Sequence, residues 1–199
     1  MTTYTKPRKF YPIYQALLAT EWREHRTDAG RCFAKDEGNQ CIVLNLREII
    51  LKDRQKIELN WFLHSKELFG ISQRISPNKL MKWLPLTAMI ENPPDQQDSL
   101  FVLDTEEFTF AQAEKLIEKV IGWGRSVDPN QTIRSIASSP IPDVGGAQLK
   151  YLASLAYVGD FNTLMDYQEI FRKGQRMNFV PMIKPEMIDR AVDIALERT

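Results

Sequence analysis

The stretch that decides the fold runs from Arg31 to His64 and reads RCFAKDEGNQCIVLNLREIILKDRQKIELNWFLH. Polar turn residues at 36–39 and 52–55 divide it into three segments. Large apolar residues alternate with other residues in the second and third segments, so one face of each predicted strand is apolar. The two faces consist of Ile42, Leu44, Leu46 and Ile50 in the second segment and Ile57, Leu59, Trp61 and Leu63 in the third.

The lengths of the two turns predict how the strands pair. A four-residue loop after the second strand pairs Ile50 with Ile57, and a four-residue loop after the first strand sets Phe33 opposite Ile42. Both hairpins then place their large apolar residues on the same face, and a slip of one residue would break that agreement. The stretch therefore predicts a three-stranded antiparallel meander.

Glu48 is the exception, because this register places it on the apolar face, opposite Leu59. Two explanations are open. A β-bulge or a strand end at the sheet rim would turn the side chain away from the core. Alternatively, Glu48 is a buried carboxylate with a functional partner, although the sequence shows no obvious partner for it.

The composition is typical of a globular protein without charge bias. Of 199 residues, 43% are hydrophobic and 26% are charged, and 26 Lys and Arg balance 26 Asp and Glu. A neutral chain lacks the basic footprint of nonspecific nucleic-acid binding, so we expect no nucleic-acid partner. There is no apolar run of about 18 residues, and the polar first residues lack the apolar core of a signal peptide. We therefore expect a cytoplasmic protein with no membrane span.

Few residues suit metal or acid–base chemistry. His25 and His64 are the only histidines, and no glycine-rich phosphate loop, Gly-x-Ser-x-Gly or Cys-x-x-Cys motif occurs. The predicted register places Cys32 and Cys41 diagonally on one sheet face, where a bridge is conceivable, but reduced thiols suit a cytoplasmic protein better. The sequence predicts no cofactor and no metal.

Helices are predicted before and after the meander in the sequence. Pro12 suits the first turn of a helix that runs to about His25. Thr109 and Gln112 form a capping box at the start of another helix, and Gly159-Asp160 ends one C-terminal helix and begins the next. The predicted apolar stripes are Ile13, Tyr14, Leu17, Leu18 and Trp22; Ala113, Leu116, Ile117, Val120 and Gly124; and Met187, Ile188, Ala191, Val192, Ala195 and Leu196.

The segment between Ser65 and Pro94 is irregular and predicts a strand extension, a short helix at about 77–83 and a loop. The apolar run at 100–103 predicts a further strand. The fold class is therefore α+β: an antiparallel sheet packed by an N-terminal helix and a C-terminal helical section. We expect one domain over 1–199, with a loose arm at 1–9, a helix-and-sheet part at 10–104 and a mainly helical part at 105–199.

This order of elements resembles that of small bacterial toxin-immunity proteins and related uncharacterised α+β domains. The resemblance rests on the strands of Arg31 to His64 and on the segment LASLAYVGDF, which spans Leu152 to Phe161. It is a resemblance of architecture over about residues 30 to 199. It implies a protein that binds and neutralises a cognate toxin without chemistry of its own.

Three functions are open. The first is a non-catalytic protein-binding domain, with an immunity protein as its specific form. Its contact surface would lie in the segment 66–98, since irregular segments on a rigid scaffold often carry recognition. The second is an enzyme with a cleft near Glu48, in which His64 takes part. The third is a scaffold or assembly subunit, which would expose a large apolar patch. The candidate partner-binding residues are Phe69, Arg74, Trp83 and Asp95.

Overall fold

The computed structural model describes residues 11–27, 30–50, 55–77, 89–91, 101–104 and 109–198. Six strands and seven α-helices lie within these ranges, which confirms the predicted α+β class. The chain divides into two compact units, one comprising Met1–Leu63 and Asn92–Ser126 and the other His64–Glu91 and Val127–Thr199.

The strands form an antiparallel sheet in the order β1-β2-β3-β4-β5, and β6 also pairs with β4. The strands are β1 (Arg23–Thr27), β2 (Gly30–Glu37), β3 (Gln40–Ile50), β4 (Gln55–Ser65), β5 (Met89–Glu91) and β6 (Phe101–Asp104). The helices are α1 (Tyr11–Ala19), α2 (Lys66–Ile75), α3 (Phe110–Ser126), α4 (Pro129–Ala137), α5 (Gly145–Val158), α6 (Phe161–Arg172) and α7 (Pro185–Leu196).

The hairpin between β2 and β3 has a two-residue loop at 38–39, in which Gly38 takes a φ of +73°. This loop is two residues shorter than predicted, so Phe33 lies opposite Leu44, and the predicted pairing with Ile42 is wrong. Side chains alternate along a strand with a period of two, so the shift leaves every side chain on its predicted face.

The predicted apolar faces of β3 and β4 form the core of the first unit. Its buried strand residues include Phe33, Ile42, Leu44, Leu46, Ile57, Leu59, Trp61 and Leu63. Helices α1 and α3 pack against each other, and the ring of Tyr14 on α1 lies 5.6 Å from that of Phe33. The register between β3 and β4 depends on the loop at 51–54, which lies outside the described residues.

The first helix is shorter than predicted. It ends at Ala19, and residues 23–27 form β1, in which His25 pairs with Cys32. Leu18 is exposed, so its place in the predicted stripe is wrong. Pairing with β2 gives the backbone of β1 its hydrogen bonds, and such a tertiary partner overrides the local helical pattern.

Helix α3 starts as predicted. The backbone N–H of Gln112 donates to the Thr109 hydroxyl at 3.3 Å, and the N–H of Thr109 donates to the Gln112 side chain at 2.7 Å. This capping box is confirmed. Its buried stripe consists of Ala113, Ile117, Val120 and Gly124, with Leu116 half-buried.

In the second unit, the predicted strand extension after His64 is wrong. The Ser65 hydroxyl accepts the backbone N–H of Leu68 at 3.2 Å, and this N-cap begins α2. A Ser followed by an apolar face of helical period explains this start. The helix predicted at about 77–83 lies almost wholly outside the described residues.

Helix α5 is the centre of the second unit. Residues 148–149 and 151–156 are buried, Lys150 is half-buried, and α5 contacts α2, α4, α6 and α7. It ends at Gly159, which has a φ of +71°, and Asp160 caps α6 by accepting the Thr163 N–H at 3.2 Å. The predicted stop and start are therefore confirmed. The stripe of α7 is buried except for Leu196, which is exposed.

Candidate functional site

Three large apolar side chains are exposed on two loops of the second unit. Val144, just before α5, is 69% exposed, and Met177 and Met182, on the loop between α6 and α7, are 55% and 36% exposed. We call these three residues the apolar patch. The two loops approach each other at Met182, because a Cβ atom at Gly145, next to Val144, would lie 2.6 Å from Cε of Met182. Exposed apolar side chains on neighbouring loops mark interaction sites more often than isolated ones do.

A buried glutamine holds the two loops of the apolar patch together. Gln148 is fully buried, and its amide nitrogen donates to the carbonyls of Pro142 at 2.7 Å and Asn178 at 2.8 Å. Its side-chain oxygen accepts the N–H of Val180 at 2.9 Å. One residue of α5 thus satisfies backbone groups on both loops, so the patch is built on a fixed backbone.

Arg176 stiffens the loop that carries the two methionines. Its Nη2 donates to the carbonyls of Val180 at 2.8 Å and Ile183, and its guanidinium lies 5.2 Å from the ring centre of Phe171. The next residue, Met177, has a φ of +49°, a backbone conformation that residues other than glycine rarely adopt. Such strain persists where the surrounding structure enforces it, and it concentrates at functional sites.

A groove of about 530 Å³ borders Met182. Its lining combines apolar side chains with two cations and one carboxylate. The lining residues are Ser76, Pro77, Met182, Lys184, Glu186, Met187 and Arg190. Arg190 is held in place because its Nη1 donates to the carbonyl of Ile75, at the end of α2, at 3.0 Å. We call this feature the methionine groove.

Residues 13–196 match the model of a family of unknown function, DUF6990. The chain belongs to this family. No curated protein and no solved structure matches this DUF6990 protein. Among the helices in the described ranges, none has the length and hydrophobicity of a membrane span.

Two of the four predicted partner-binding residues of the DUF6990 protein lie on α2. Phe69 is half-buried and packs against His64, with ring centres 5.4 Å apart. Burial, with a smaller contribution from Lys66, lowers the pKa of His64. Arg74 is exposed, and its Nη2 lies 2.6 and 2.7 Å from the two carboxylate oxygens of Glu197. Both side chains thus have partners inside the second unit.

The other two, Trp83 and Asp95, lie outside the described residues, as does the side chain of Glu48. The backbone of Glu48 belongs to β3. The enzyme hypothesis that relies on Glu48 therefore stays a prediction. Within the described residues, no three His, Cys, Asp or Glu side chains are grouped so as to hold a metal ion.

The alternation of apolar residues did not reveal Glu58 as a buried carboxylate. It is 8% exposed, and one of its oxygens lies 3.7 Å from Nη1 of the exposed Arg47. β6 pairs along β4 with Val102 opposite Glu58, so this part of β4 has a neighbouring strand that the sequence did not predict to lie there. Tertiary pairing, rather than the local pattern, explains its burial.

Neither cysteine forms a disulfide, and both are half-buried. Cys32 lies opposite Asn45 and Cys41 opposite Asp36, so they stand four residues apart along the ladder. A disulfide needs Cα atoms about 5.5–6 Å apart, and this register does not bring them that close. The predicted diagonal placement is wrong for the same reason as the strand register. Burial raises the pKa of the Cys32 thiol.

The sequence pattern did not reveal the apolar patch or the methionine groove. The available signal was the presence of Val144, Met177 and Met182 in loops that also contain prolines or glycines, where large apolar residues have no periodic face to join. A Met or Leu on the apolar stripe of a helix is normally a core residue. In a turn-rich segment there is no periodic pattern that assigns such a residue to the core.

Proposed function

We propose that this DUF6990 protein is a protein-binding domain, and that the apolar patch and the methionine groove form its contact surface. The observation that carries the proposal is the exposure of Val144, Met177 and Met182 on loops that Gln148 holds in place. A rigid backbone loses little conformational entropy on binding, so exposed apolar side chains on it bind more strongly than the same side chains on a mobile loop.

Methionine suits such a surface. Its unbranched, polarisable side chain adapts to different partner shapes and is common at recognition surfaces. The groove also begins at Ser76 and Pro77, within the segment 66–98 in which the sequence predicted recognition. These observations support binding to a protein rather than to a small polar ligand.

Within this proposal, the finer assignment is an immunity protein that neutralises a cognate bacterial toxin in the cytoplasm. Its support is the architectural resemblance described above. Binding alone would then constitute the activity, since a protein that covers a toxin needs no chemistry of its own.

The proposal is tested by capture from a lysate of the source cells with three immobilised full-length chains: wild type, Met182→Gln and Met165→Gln. Met165 is the matched control because it is a methionine of the same unit and is 37% exposed, against 36% for Met182. Glutamine keeps the length of the side chain and removes its apolar character. We expect one stoichiometric protein to be retained by the wild type and by Met165→Gln, and to be lost from Met182→Gln.

Equal retention by the two methionine variants, or no retained protein on the wild-type chain, would contradict the proposal. Light scattering of the purified chains adds a second readout. If the wild type is an oligomer that Met182→Gln dissociates, the occupant of the surface is a second copy of the chain, and the scaffold hypothesis replaces the proposed partner.

A further inference from the structure

We propose that the methionine groove accepts an acidic polypeptide segment that carries an apolar anchor residue. This inference rests on the proposed function and specifies the chemistry of the partner. Its basis is the charge of the groove, in which Lys184 and Arg190 stand against the single carboxylate of Glu186.

The two cations are available to a partner. The Lys184 ammonium forms no hydrogen bond or ion pair with another described residue. Arg190 uses Nη1 for the carbonyl of Ile75, and a guanidinium carries five N–H donors in all. That hydrogen bond orients the group without neutralising its charge. An oriented guanidinium binds a carboxylate through charge-assisted hydrogen bonds, which are stronger than neutral ones.

The place of Lys184 in the chain also favours an acidic partner. It immediately precedes α7, and a cation at a helix N-terminus opposes the helix dipole, so its charge does not stabilise the helix that follows. A carboxylate of a partner beside Lys184 would meet both a cation and the positive end of that dipole. Helix stability therefore gives no reason for a lysine here, whereas an acidic partner does.

The apolar lining of the groove is the reason why we assign an apolar anchor residue to the partner. Met182, Met187 and Pro77 present thioether and ring carbons beside these charges. The groove is open along the surface, and its volume of about 530 Å³ is large enough for an apolar side chain together with flanking main chain. A segment that pairs an Asp or Glu with a Leu, Met or Phe matches both the charges and the walls.

The test uses random peptides displayed on phage and selected on the immobilised full-length chain. The enriched peptide is then synthesised, and its affinity is measured by fluorescence anisotropy for the wild type and for Arg190→Gln, Lys184→Gln and Met182→Gln. Arg172→Gln is the control, because Arg172 is an exposed cation of the last turn of α6 and does not line the groove.

We expect the enriched peptides to combine acidic and large apolar residues. Arg190→Gln should weaken binding about tenfold, as the loss of a charge-assisted hydrogen bond does. Lys184→Gln should weaken it in the same direction, Arg172→Gln should leave it unchanged, and added salt should weaken it for the wild type. Because Arg190 also bonds to Ile75, Lys184→Gln provides an independent check that leaves this contact intact.

The two levels of the proposal fail differently. Enriched peptides without acidic residues, or unchanged affinity of both charge variants while Met182→Gln abolishes binding, would overturn the acidic partner and leave the binding surface in place. Unchanged affinity of Met182→Gln as well, or no enrichment on the wild-type chain, would overturn both.

Discussion

The backbone of Gly124 lies directly against the side chain of Ile42. A Cβ atom at Gly124 would come within 2.4 Å of Cδ1 and 2.6 Å of Cγ1 of Ile42, which is fully buried in β3. The carbonyl of Gly124 also accepts a hydrogen bond from Nε2 of Gln40 at 3.1 Å. The absence of a side chain therefore lets α3 approach the sheet closely.

Alanine at Gly124 should destabilise the protein. Overpacking of a buried site costs about 1–3 kcal/mol, which exceeds the gain of about 0.5–1 kcal/mol from replacing a helical glycine. Gly122→Ala is the matched control, because a Cβ at Gly122 of the same helix meets nothing within 4 Å. Urea denaturation should show a lower free energy of unfolding for the first variant and a higher one for the second. Equal shifts would refute the close contact.

Glycine at Glu21 should stabilise the protein. Glu21 has a φ of +63° just after α1, and the N–H of Trp22 donates to the carbonyl of Leu17 at 3.1 Å. This is the Schellman motif of a helix end, in which glycine is the usual residue. Relief of the left-handed strain should raise the free energy of unfolding by about 1 kcal/mol.

The control for this prediction is Glu21→Ala, which removes the carboxylate but keeps a Cβ. It should produce none of the gain. If alanine and glycine stabilise the protein to the same degree, the carboxylate rather than the backbone conformation was the source of the strain. Thermal unfolding at one pH suffices for the comparison.

Methionine at Gln148 should weaken both the fold and partner binding. It would leave the carbonyls of Pro142 and Asn178 and the N–H of Val180 without their part-buried hydrogen bonds, each at about 1 kcal/mol, so we expect a loss of about 3 kcal/mol in the free energy of unfolding. The control is Gln168→Met, since the amide of Gln168 makes one described side-chain hydrogen bond, to Asp189 at 2.6 Å. A similar loss in both variants would show that Gln148 has no special role in holding the loops.

The pKa of His64 should lie below 6.5 in the folded protein, since burial disfavours the imidazolium and the nearby Lys66 adds repulsion. Because the folded pKa is lower than the unfolded one, the stability linked to His64 is complete above the unfolded pKa and is lost as the pH falls through the folded pKa. An NMR titration of the two histidines tests this, with His64→Gln to assign the signals.

Two further results sharpen the His64 prediction. Lys66→Gln should raise the pKa of His64, because it removes the charge of Lys66 and leaves the Phe69 ring in place. A measured pKa at or above 6.5 in the wild type would contradict the burial of the ring. Acid unfolding of His64→Phe should begin at a lower pH than that of the wild type.

Local signals in the sequence predicted the helix boundaries at which the hydrogen-bond donor and acceptor lie within a few residues of each other. The capping box of Thr109 and Gln112 and the Gly159-Asp160 boundary are two cases. The apolar faces of β3 and β4 were also predicted, because side chains alternate along any strand whatever its partners. Such signals suffice for element type and for the inward face.

The sequence by itself thus determined the α+β class, the meander faces and the helix boundaries that have their own caps. Only the tertiary structure decided the register of Phe33 against Leu44, the strand at 23–27, the burial of Glu58 and the apolar patch. Each of these depends on a partner in another element or loop: β1 pairs with β2, β4 pairs with β6, and Gln148 bonds to Asn178, 30 residues later. Periodicity and capping report on neighbours within a few positions, so no local pattern contains that information.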